Sequence, residues 1–150
     1  MTAFVTAGAG FLLAVLWFDL MFDVQVLRHP DRELPADVLE SISAYYGRVT
    51  TAARPMNLLI GAVMAGTLAA ILVQIATDDV AGWAGWASLA LGGSAIALAA
   101  AHTYPAAVRL GRRADPLQVQ GRLARSIGRD HLLCLAAITS LLTIQLAAGG

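Results

Sequence analysis

The residues able to do chemistry in this chain are few, and they cluster at the ends of apolar stretches. Asp19 and Asp23 stand four apart near the end of the first stretch, Arg54 and Asn57 open the second, His102 closes the third, and Arg129, Asp130 and His131 open the fourth. On an α-helix a spacing of four puts Asp19 and Asp23 on one face. A charged side chain at the centre of a bilayer costs about 2.5 to 3.5 kcal/mol on insertion scales, so each of these groups needs a partner or a task. The first kind of chemistry is proton transfer: His131 or His102 as a general base, with Arg129 or Arg54 stabilising the anion it creates. A second is metal binding, because imidazole and carboxylate suit iron, zinc or copper, and His102 and His131 with Asp19, Asp23 or Asp130 would supply three ligands. A haem held between two histidines is a variant of it. The third alternative is purely structural, an Asp19 or Asp23 ion pair with Arg54, Arg109 or Arg129 that fixes the packing of helix ends. No two histidines stand at HxxxH or HxxH spacing, and the chain has no phosphate-binding glycine loop, nucleophile elbow or CxxC pair. His29 precedes Pro30 in a polar loop and reads as solvated. Cys134, the single cysteine, lies in an apolar block and reads as a small buried hydrophobe without a disulfide partner.

The elements that must position these residues are membrane spans. Of the 150 residues, 58% are hydrophobic and 13% charged, the mean hydropathy is +0.69, and the apolar residues come in long blocks. Crossing a hydrocarbon core of about 30 Å takes about 20 helical residues. Four stretches qualify: 4–22, 56–76, 83–104 and 131–147. The chain is therefore expected to be one integral membrane domain, an all-α bundle of four transmembrane helices with short amphipathic helices in two cytoplasmic loops. The first stretch lacks a basic leader and a small-residue cleavage site, and reads as a retained span.

Charge sets the orientation. All ten basic residues are arginine: four lie in the first long polar loop and six in the second, with none in the short turn around Asp78 and Asp79 or at the termini. The positive-inside rule puts both long loops in the cytoplasm and both termini outside the inner membrane. The formal net charge of zero carries no nucleic-acid signal.

Within the first loop, Pro35 suits a first helical turn, and Val38, Ile42, Tyr45 and Val49 form an apolar stripe that runs toward Pro55, where the helix must stop or kink. In the second, Asp115 to Gln118 reads as a capping box that opens a helix able to continue through Arg129 into the fourth span. Small residues recur at helix-contact spacing in the first three spans, which favours close packing within the bundle ahead of a homo-oligomer. The acids and imidazoles then gather in one layer near the cytoplasmic face, around a small cavity roofed by the loop helices.

The segments ARPMN at the second span, YPAAVRLGRR after the third and RLARSIGRDHLLCL at the fourth resemble a family of small four-span membrane proteins whose fungal relatives are anthrone oxygenases. The residue-specific part of the likeness falls on Arg129 and His131, and Ser126 and Ile127 stand where that family has a tryptophan. The resemblance implies oxygenation of a small aromatic or quinone-like molecule. The stretches WFDLMFDVQVLRH and AHTYPAAVRLGRR are also similar to a four-span haem-binding protoporphyrinogen oxidase, and the loop order is similar to that of the membrane glutathione transferases. Two further expectations belong to other classes. One is a non-catalytic scaffold whose arginines engage anionic lipid or a partner protein. The other is proton-coupled transport through Asp19 and Asp23.

Overall fold

The computed structural model describes residues 1–29 and 33–149, apart from the side chain of Arg54. Arg32, and any role of the Arg54 guanidinium, lie outside the described residues. The chain is 88% helical and has no strand among those residues. Helix α1 runs over Thr2–Leu27, α2 over Ala36–Gly47, α3 over Arg54–Ala76, α4 over Gly82–Leu98, α5 over Tyr104–Arg112 and α6 over Leu117–Ala148. Among the described residues, four helical segments are long and apolar enough to cross a membrane: Thr2–Leu27, Pro55–Ala76, Gly82–Arg112 and Leu117–Ala148. This is the architecture of a multi-pass membrane protein.

The bundle closes as a ring in which α6 packs on α1 and α4, and α3 packs on the other sides of α1 and α4. Near the short turn the ring is tight. Ile71 from α3 and Leu141 from α6 are fully buried there, and Gln74, Gln145 and Ser88 form a buried hydrogen-bonded chain. Toward the other end α3 leaves the ring. None of its residues from Pro55 to Gly66 is buried, whereas Thr67, Ile71 and Gln74 are. That splay opens the interior of the bundle.

The polar end is built by packing, because each helix there hides one stripe. The first loop forms α2, with Leu39, Ile42 and Tyr46 buried against Ala106, Ala107, Leu110 and Ile127. Gly47 and Gly111 let α2 and α5 cross with their backbones touching, since a Cβ on Gly111 would stand 2.7 Å from the Gly47 nitrogen and 2.9 Å from its Cα. As expected, α2 does not run into the second span. It ends in a π-helical turn over Arg48–Ala52, and the chain breaks at Ala53 (φ −88°, ψ 34°) before Pro55 enters the first turn of α3.

The second polar stretch is helical too, but it is continuous with the spans. A π-helical turn over Ala99–Thr103 joins α4 to α5, and α6 runs unbroken for 32 residues through Gly121 and Gly128. Pro35 and Pro116 cap their helices from just outside the first turn, with no side-chain cap bond at either. The capping box expected at Asp115 therefore does not form: its carboxylate takes two hydrogen bonds from Arg109, at 2.7 and 2.8 Å, and closes the turn between α5 and α6. The arginine hydrogen bond holds the Asp115 carboxyl below the usual carboxylate range.

Candidate functional site

A cavity of about 660 Å³ occupies the space that the splay of α3 leaves. Its walls are apolar for most of their length, with Phe11, Leu12 and Val15 from α1, Ile60 and Met64 from α3, Ala95 and Ile96 from α4, and Ile138 from α6. Its polar groups gather at the end nearest α2, where Asp19, Tyr45, Tyr46, Asn57, Thr103 and His131 line it. Both π-helical turns contribute walls there, through Val49 and Thr50 and through Ala99, Ala100 and Thr103. Single π turns are often found at functional sites, because the extra residue re-aims the side chains around it.

The centre of the polar end is His131. Its Nδ1 lies 2.6 Å from Asp23 Oδ2, and the Asp23 carboxylate, 1% exposed, also accepts a 2.7 Å hydrogen bond from the Tyr46 hydroxyl. An ionised carboxylate can only accept, so Nδ1 carries a proton and the other ring nitrogen is turned toward the cavity. Asp19 faces that nitrogen, with Oδ2 3.8 Å from His131 Nε2, and accepts a 2.6 Å hydrogen bond from the Tyr45 hydroxyl. Tyr45 is held in turn by stacking on Phe22, with ring centroids 4.0 Å apart. A separation of 3.8 Å exceeds hydrogen-bond range, so Nε2 and Asp19 flank a gap that a ligand oxygen could bridge.

The two acids reach this pair because α1 presents Asp19 and Asp23 on one face, toward α2 and α6. At 1.5 Å per residue, Asp19 lies about 26 Å from the start of α1, and His131 about 26 Å from the end of α6. With a hydrocarbon core of about 30 Å, the cluster sits just inside one boundary of the bilayer. Burial pushes the Tyr45 and Tyr46 hydroxyls far above the ordinary phenol range, and the charges of Asp19 and Asp23 push them further. Both phenols therefore stay protonated donors at any physiological pH.

The other polar residues singled out in the sequence fall elsewhere. His102 is half-exposed, and its Nδ1 lies 2.5 Å from Oδ2 of the buried Asp130, which also accepts from the Thr103 hydroxyl at 3.2 Å. Arg129 is exposed and stands 3.8 Å from Asp130. His102, Arg129 and Asp130 do not line the cavity. They make a second cluster beside it, so all four spans bring a polar group to the cavity, but the third span brings Thr103 in place of His102 and the fourth brings His131 without Arg129 and Asp130. Asn57 does line the cavity, with its amide donating to the Val49 carbonyl at 2.7 Å and so tying the start of α3 to the π turn.

No described guanidinium pairs with Asp19 or Asp23; their partners are an imidazole and two phenols. Arg129 is thus removed from the role of stabilising an anion in the cavity. The two histidines are bound to different acids, and among the described residues no three His, Cys, Asp or Glu side chains converge to hold a metal ion. The metal set of His102 and His131 with Asp19 is accordingly not assembled. The two phenols are the members of the cluster that the sequence reading gave no polar role, Tyr45 standing there on an apolar stripe; two adjacent tyrosines in the loop that follows two acids four apart are the signal that would have found them. No family model, curated protein or solved structure matches this chain.

Proposed function

We propose that this protein takes a small apolar molecule bearing a hydroxyl or enolisable group from the bilayer into the cavity and moves a proton at that group with His131. The observation that carries the reading is an imidazole oriented by a buried carboxylate, with its free edge turned into an apolar cavity. This is the arrangement general-base catalysis requires: a positioned nitrogen, a fixed tautomer, and a carboxylate behind it to stabilise the imidazolium that forms. A scaffold engaging lipid through its arginines has no use for such a cavity, and among the described residues the acids of the cluster pair with an imidazole and two phenols.

A ligand hydroxyl beside this pair has one proton to give: with Nε2 as its acceptor, its oxygen faces Asp19, whose carboxyl completes the site when it carries a proton and donates back. Once the proton has moved to Nε2, the imidazolium lies between the ligand anion and Asp23 and supplies the countercharge. The resemblance adds a downstream step. A methylene made acidic by flanking aromatic rings and a carbonyl would be deprotonated, and the carbanion would react with dioxygen, which gives one oxygen to a new carbonyl and one to water carrying away the two hydrogens. By the positive-inside rule the cluster belongs at the cytoplasmic boundary of a bacterial inner membrane, with both termini outside.

The test uses 2-naphthol, an apolar hydroxyl compound whose absorption distinguishes the neutral from the ionised form, added to the protein in lipid nanodiscs. Wild-type protein should bind it with saturation and raise the ionised fraction. His131→Phe, which keeps an aromatic ring in place, should bind it without ionisation. Equal ionisation by the two proteins contradicts the assignment of His131.

A further inference from the structure

A second apolar trough lies against the cavity and goes unused in the reading above. It runs between α1 and α3, has a volume of about 560 Å³, and is lined among others by Phe4, Ala7, Gly66, Ala70 and Val73. Phe11 is a wall of both spaces. On α3 the trough takes Leu59 and Val63 while the cavity takes their neighbours Ile60 and Met64, so the two meet along one helix edge. From Phe11 the trough follows α1 back to Met1, a rise of about 15 Å at 1.5 Å per residue. Its floor is closed at Thr67 and Gly8, which touch, whereas a Cβ on Gly66 would meet nothing within 4 Å. The trough is therefore open to lipid along one side, closed below, and adjoins the cavity at its inner end, with Phe11 as the wall they share.

We infer that the ligand is an amphiphile: a hydroxylated or enolisable ring held at His131 and Asp19, and an apolar chain of about 15 Å that leaves the cavity past Phe11 and lies in the trough between α1 and α3. The inference rests on the function proposed above and names the substrate class of that same site. The shared wall at Phe11 is what assigns the trough to the ligand's own tail, which reaches it by passing that one ring. Polarity agrees with it, since the polar side chains stand at one end of the path and the trough holds only the hydroxyl of Thr67, which is buried in the floor. It also gives the ligand a route of entry, because a molecule already dissolved in the bilayer reaches the ring site by sliding sideways between two spans.

The experiment uses a 2-naphthol carrying an alkyl chain of about 15 Å that ends in a photoreactive diazirine, in nanodiscs, with mass-spectrometric mapping of the attachment site and excess tail-less 2-naphthol as competitor. Labelling is expected on Phe4, Ala7, Ala70 and Val73, and it should fall with the competitor. Gly66→Phe fills the trough from a position with open space, and Ala7→Phe fills it from the opposite wall. Each should cut trough labelling at least five-fold while leaving binding of tail-less 2-naphthol unchanged. Labelling spread over lipid-facing residues such as Trp83 and Leu132, or crosslinks between two copies of the chain, would overturn the inference while the ring site stands. Failure of tail-less 2-naphthol to bind at all would instead remove the ring site, and the tail assignment with it.

Discussion

Replacing Asp23 with asparagine separates the packing role of this residue from its electrostatic one. Asp23 is 1% exposed and accepts from both Tyr46 and His131, at 2.7 and 2.6 Å. The amide has the same shape, and its oxygen keeps one of the two bonds. What is lost is a charge-assisted bond, worth about 1.5 to 3 kcal/mol. Asp23→Ala, which strands both partners, should cost about 3 to 5 kcal/mol. If the amide oxygen stays with Tyr46, its NH₂ faces Nδ1, and the imidazole moves its proton to Nε2, so no lone pair points into the cavity. If the oxygen stays with His131, the tautomer survives but the carboxylate behind the imidazolium is gone. Either way His131 is the weaker base by that same margin, and the pH at which bound 2-naphthol ionises should rise by about one to two units. A competing effect has the opposite sign, because removing a nearby negative charge favours the ligand anion. That repulsion acts across the imidazole ring, whereas the favourable interaction acts at 2.6 Å, so the contact dominates. The assay is a pH titration of bound 2-naphthol by absorbance, with thermal unfolding of the same samples as a check on folding. A folded Asp23→Asn protein that ionises 2-naphthol at the wild-type pH would refute the role given to Asp23.

Other perturbations probe the frame around the site. Gly111→Ala drives a methyl group into the Gly47 backbone, and overpacking of this kind costs about 1 to 3 kcal/mol, so its unfolding midpoint should fall while that of Gly66→Ala should not. The Tyr45 and Tyr46 hydroxyls ionise only far above 10 when folded and near 10 when unfolded, so their contribution to stability is complete below pH 10 and should be lost as pH rises beyond it; Tyr46→Phe should be the less stable protein at neutral pH and its stability should fall less steeply above pH 10. Cysteines introduced at Glu33 and Gln118 should react with an impermeant thiol reagent from one side of the membrane and a cysteine at Asp78 from the other, and labelling of all three from one side would break the four-span topology.

Much of this architecture could be read from the chain because membrane spans declare themselves by length and apolarity, and because the arginines lie at one end of all four. The spacing of Asp19 and Asp23 was equally plain, since a helical period of 3.6 leaves residues four apart on one face. The pairing of acids with imidazoles was not. His102 and His131 both sit at the polar end of an apolar stretch near the same depth, and only the rotation of those helices decides that one meets Asp130 and the other Asp23. The tyrosines were hidden for a related reason: α2 reaches the cluster only because Gly47 and Gly111, far apart in sequence, let two backbones touch. The π turns at Arg48–Ala52 and Ala99–Thr103 are shifts of register within helical sequence, and residue types alone do not mark them. Gln74 and Gln145 carry no mark in the sequence beyond being polar residues in apolar runs, yet each is fully buried and bonded to the other.

The most direct measurement is the ¹⁵N spectrum of the His131 ring in nanodiscs, with and without 2-naphthol. Without ligand, Nδ1 should carry the proton and Nε2 should resonate as an unprotonated nitrogen; on saturation Nε2 should move to a protonated position while Nδ1 stays bonded to Asp23. A ring that titrates like a free imidazole, or an Nε2 signal unmoved by saturating 2-naphthol, would contradict the account.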